Sequence, residues 1–132
     1  MWNKFLAALL VGMCTLAPQV ASAKRPQLSP GEQQMLPKFC WGHYVDKKYA
    51  GVPGHSIPKT CGGGMNHMCP GFMYLVAAQR TSAKPRDRRY HAQRAIAELR
   101  YTQRHMTPQC PLRDQVDVGI ASAQLLQKTI AR

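Results

Sequence analysis

Downstream of residue 64 the apolar positions recur every three or four residues, in three separate runs. That period belongs to helices with one buried face. In the first run Met73, Val76, Ala77 and Arg80 follow at helical spacing, and Phe72 and Leu75 widen the apolar side. Asn66 is the expected N-cap and Pro70 sits in the first turn, where backbone N–H groups lack intrahelical partners anyway. The run is expected to end near Arg80 to Ser82.

Pro85 then opens a second helix at its first position. Its buried stripe is Ala92, Ala95, Ile96, Leu99, Thr102 and Met106, while Arg86, Arg89, Arg94, Arg100 and Arg104 cover the remainder. Glu98 stands four residues after Arg94, the spacing of a helical ion pair. "TPQCP" at 107–111 stops this helix and starts a third, with Thr107-Pro108 or Cys110-Pro111 as cap and first residue. Leu112, Val116, Ile120, Ala123, Leu125 and Leu126 supply its buried face, to about Ile130. Three helices on short links should alternate in direction, each beside its neighbour.

Upstream the texture differs. Residues 24–37 are polar, hold three prolines and a glycine, and are expected to form a flexible lead-in. The aromatic segment "FCWGHYV" at 39–45 can pack on a core. Residues 46–64 contain Pro53, Pro58 and five glycines and read as a loop. A loop of that length needs tying down, and Cys40 before it and Cys61 near its end are placed to do so.

The amino terminus changes the setting. Phe5 to Leu16 is an apolar run of about a dozen residues, short of the roughly 20 that span a bilayer. Ala21-Ser22-Ala23 supplies the small residues of a signal-peptidase site, so residues 1–23 are expected to be a cleaved secretory signal. Met13 precedes Cys14 where a lipoprotein signal would place a small residue. The expected location is periplasmic or extracellular, with no transmembrane anchor after cleavage, and 38–132 is one domain.

Charge follows from that reading. Lys and Arg number 18 against six Asp and Glu, and removing Lys4 with the signal leaves 17 − 6 = +11. A basic exported chain has as its expected partner an acidic protein or an anionic cell-envelope component rather than nucleic acid. Arg86, Arg89, Arg94, Arg100 and Arg104 are the candidate docking face; the alternative is a solvated outer surface.

Chemistry concentrates in "CGGGMNHMCPG", Cys61 to Gly71. As a metal site it offers Cys61, His67 and Cys69, with His43, Met65, Met68 and His105 as further soft donors for Cu(I) or Zn(II). Seven residues separate the cysteines, wider than common zinc pairs, and exported thiols tend to oxidise first. Cys61 or Cys69 with His67 is a conceivable nucleophile pair, but no acid is evidently placed to orient the histidine, and its ring is expected to bond loop backbone. Cys-x-x-Cys-His and Cys-x-x-Cys strings are absent. The expected function is non-enzymatic, without a cofactor.

An internal echo organises the cysteines. Cys69-Pro70 opens the first helix and Cys110-Pro111 the third, 41 residues later, so alternating helices bring both steps to one end. The strings "CGGGMNHMCPGFMYLVAAQR" and "YTQRHMTPQCP" resemble small exported proteobacterial proteins with a Cys-Gly-x-x-Met-Asn-His-x-Cys-Pro-Gly segment, relatives of tetratricopeptide-repeat helical hairpins. The resemblance covers roughly residues 39–127. It implies an all-α, antiparallel three-helix TPR-like bundle with a disulfide-tied N-terminal loop region, and a scaffold or adaptor role. The Ala-rich helix "HAQRAIAELRY" fits it, while the 41-residue period differs from the 34 of that repeat. Cys40, Cys61, Cys69 and Cys110 allow three pairings. Cys40–Cys69 with Cys61–Cys110 is preferred, because it pins the aromatic segment to the first helix and the loop to the third.

Overall fold

The computed structural model describes residues 24–130. The signal segment expected at 1–23 lies outside the described residues. Within them all regular structure is helical: α1 (Pro30–Gln33), α2 (Trp41–Tyr44), α3 (Met68–Ala78), α4 (Pro85–His105) and α5 (Arg113–Ile130), with four single 3₁₀ turns between. Five α-helices therefore replace the three expected. None is long and apolar enough to cross a membrane among the described residues.

The lead-in is folded, which corrects the expectation of a flexible 24–37. Ser29 and Glu32 form a reciprocal capping box around Pro30, so α1 starts on local sequence alone. Arg80, just past the end of α3, then grips Glu32 through Nε and Nη2 and also donates to the Gln27 carbonyl. Leu36 is buried, and its carbonyl accepts the indole N–H of Trp41 at 2.8 Å.

The 46–64 loop is held by more than cysteines. Tyr49 and His55 stack 5.2 Å apart and both meet the Trp41 ring edge-on. Gly42 N–H donates to the His55 carbonyl across the same contact.

α3 is the most buried helix: of its residues only Met73 escapes burial. Its start differs from expectation. Gly64, at φ 77°, turns the chain into a 3₁₀ turn over Met65–His67, which leaves His67 at the cap position and Asn66 exposed without a capping bond. The helix ends at Ala78, before Arg80.

α4 follows expectation closely. Pro85 is its first residue, and Ala92, Ala95, Leu99 and Thr102 are fully buried. Residues 107–112 form turns, with Cys110 N–H bonded to the Thr107 carbonyl, so α5 begins only at Arg113 and neither Cys-Pro nor Thr-Pro caps it. Its buried face is Val116, Gly119, Ile120 and Ala123, whereas Leu125, expected inside, is exposed.

α4 runs opposite to both neighbours. Near its start Arg88 reaches the carbonyl of Ala78 and Arg89 that of Ile130, the ends of α3 and α5; toward its other end Glu98 meets His67 and Gln103 meets Asp117. Leu99, with 0% of its surface exposed, sits between two glycines at the crossing. A Cβ on Gly71 of α3 would stand 2.7 Å from its Cδ2, and one on Gly119 of α5 2.9 Å from its Cδ1. The missing side chains let both helices close on α4.

Candidate functional site

Helix direction brings the Cys61–Gly71 stretch, the end of α4 and the approach to α5 together. Disulfides join Cys40 to Cys69 and Cys61 to Cys110, the preferred pairing of the three. The Thr107 N–H also donates to the Cys61 carbonyl, lacing the glycine loop to the α4–α5 turn.

This pairing dismantles the candidate ligand set. Cys61 and Cys69 are oxidised and buried, so neither is a thiolate donor or a nucleophile here. Among the described residues no three His, Cys, Asp or Glu side chains stand close enough to hold a metal ion. His43 and Met65 line one cavity of about 430 Å³ between α2 and the 50–57 loop. His67 faces another, of about 140 Å³, with Tyr74, Arg94 and Glu98. Met68 is wholly inside the core, and His105 stacks on Tyr101.

His67 has a different partner from the one expected. Its Nδ1–H donates to Glu98 Oε2 at 2.5 Å, and the other carboxylate oxygen accepts from Arg94 Nη2. Glu98, its side chain only 11% exposed, thus bridges the anticipated i,i+4 arginine and a histidine 31 positions away. An acid does orient the imidazole. The Arg94 guanidinium lies over the Tyr74 ring, while Tyr101 packs between the rings of His67 and His105 at 4.1 and 4.0 Å. With Cys61 and Cys69 both in disulfides, the arrangement clamps the start of α3 onto α4.

The arginines divide into two sets. Arg88 donates to the Ala78 carbonyl, Arg89 to that of Ile130, and Arg113 to those of Met106 and Thr107. Each therefore reaches backbone carbonyls at or just past the end of a helix, where intrahelical partners run out, and its charge opposes the negative end of that helix dipole. Arg89 and Arg94, two of the five candidate docking residues, are thus committed to internal bonds. Arg86, Arg100 and Arg104 remain outward. Arg86 is within 3.4 Å of Asp87, but Arg100 and Arg104 have no acidic partner among the described residues. With Gln93 and Ala97 they share the side of α4 opposite Ala95 and Leu99, a line about 27 Å long.

Four titrating groups are shifted by their surroundings: Asp46 and Lys48, an exposed pair on the 46–64 loop, and two that sit against the helices. His91 on α4 has a buried Nδ1 with no hydrogen-bond partner; burial pushes its pKa below the usual imidazole value, Arg80 adds to the shift and Asp87 opposes it. Glu32 is held down at about 2, chiefly by the Arg80 bonds and then by the Ser29 N–H.

No family model, no curated protein and no solved structure matches this chain.

Proposed function

We propose that this is an exported, disulfide-stapled adaptor of TPR-like architecture that binds an acidic protein or an anionic component of the cell envelope. The observation that carries the reading is the outward face of α4, where Arg100 and Arg104 stand one turn apart with no carboxylate partner among the described residues. Like charges at that spacing repel by a few tenths of a kcal/mol in the free helix. An anionic partner turns that repulsion into attraction. Guanidinium groups also suit it chemically, since their planar forks match carboxylates and phosphates in bidentate fashion. Export is supported by the amino-terminal pattern and by two disulfides, bonds that persist in oxidising compartments.

The test is titration of the oxidised protein against vesicles containing phosphatidylglycerol and, separately, against an acidic polypeptide, each at rising salt. Arg100→Glu with Arg104→Glu should weaken binding about tenfold or more, roughly 1.4 kcal/mol, and salt should weaken the parent likewise as exposed charges are screened. Which titrant binds separates envelope lipid from acidic protein. Indifference to both salt and charge reversal would remove the reading.

A further inference from the structure

α5 carries apolar residues on two opposite sides. Val116, Gly119, Ile120 and Ala123 face the core. Half a turn away Val118 and Leu125 are 65% and 63% exposed, the highest values among the exposed large hydrophobic side chains. Exposed Ala121 stands between them, so 118, 121 and 125 follow the three-then-four spacing of a helix-pairing seam. The seam borders an apolar groove of about 400 Å³ between α3 and α5, floored by Phe72 and Gly119 and edged by Met35, Val118 and Ser122.

We infer that a second copy of this chain covers this face, the two α5 helices pairing antiparallel about a two-fold axis near Ala121 and Ser122. The sequence of the face reads the same way under that operation. Val118 meets Leu125 of the partner subunit, and small residues occupy the crossing where the helices come closest. The ends complement each other: exposed Asp114 lies at the start of the seam and exposed Lys128 at its end, so reversal sets one against the other at both edges. Parallel pairing would instead oppose Asp114 to itself and Lys128 to itself. A symmetric interface of this kind closes on itself and stops at two copies. A strongly basic partner could answer Asp114 but not Lys128, and an acidic one the reverse.

A single helix pair is a small contact, below the roughly 1,200 Å² of standard interfaces, so the dimer is expected to be concentration-dependent, with a Kd in about the micromolar range. The face lies apart from the α4 arginines, and the inference stands without the adaptor reading.

Sedimentation of the oxidised protein over a concentration series tests it. The parent should shift from monomer to dimer, whereas Val118→Lys and Leu125→Lys should stay monomeric with unchanged melting, because both sites are solvent-exposed. Asp114→Lys and Lys128→Glu should each weaken the dimer severalfold, and the double exchange should restore it. A parent that remains monomeric, or a dimer untouched by either lysine substitution, overturns the interface. Failure of the double exchange to restore pairing overturns its antiparallel sense.

Discussion

Arg88, Arg89 and Arg113 show how a basic residue can be spent inside a fold while still counting toward net charge. His91 shows the converse, a titrating group placed where protonation is opposed. Its folded pKa lies below the ordinary 6.5, so both states are neutral above that pH. As pH falls through 6.5 the unfolded chain takes up a proton that the folded one resists, and stability drops until the lower folded value is reached. Glu32 acts later. Its contribution is complete above the ordinary 4.5 and disappears as pH falls toward about 2. Denaturant unfolding across pH should therefore show decline in two stages. His91→Gln should flatten the upper stage and Glu32→Gln the lower; an unaltered pH slope in either variant would contradict the assignment.

At the scale of elements, the contact between α3 and α4 rests on Gly71. Gly71→Ala would drive a methyl into Leu99, whose own position is fixed from the other side by Gly119. Such overpacking costs about 1–3 kcal/mol, and a melting curve equal to the parent's would show that the crossing can relax. Much of this layer was legible. Periodicity located α3, α4 and α5, Pro85 marked the start of α4, and alternating direction brought the cysteines to one end. Errors came where a local rule met a non-local partner. Composition made 24–37 look unstructured although Ser29-x-x-Glu32 is a capping signal, because what holds it is Arg80, 48 positions away. Asn66 fitted the cap rule, but the turn begun at Gly64 places His67 there instead. Leu125 and Leu126 both fit the apolar pattern of α5, yet neighbours on a helix point 100° apart, and only Leu126 packs inward. The bond from Glu98 to His67 had no sequence signal beyond an acid among arginines.

For the molecule as a whole, two disulfides tie three helices and the loop layer at one end. Their separations, 29 and 49 residues, correspond to about 3–4 kcal/mol for each bridge taken singly in the chain-entropy picture. That is a large share of an ordinary domain's 5–15 kcal/mol. Paired serine substitutions at Cys40 and Cys69, or at Cys61 and Cys110, should lower unfolding free energy by about that amount; a loss under about 1 kcal/mol would show that the helices hold without the bridge. The two spans overlap, since Cys61 lies inside the interval closed by Cys40 and Cys69. Covalently, the shortest path from residue 40 to residue 110 jumps to 69, runs backwards to 61 and jumps again: 69 − 61 = 8 residues of backbone in place of 110 − 40 = 70. If the oxidised chain were pulled from its two ends, tension would bypass α4 altogether and travel in reverse through the glycine-rich stretch, so that this stretch and the segments outside 40–110 would lengthen while α4 stayed out of the line of force.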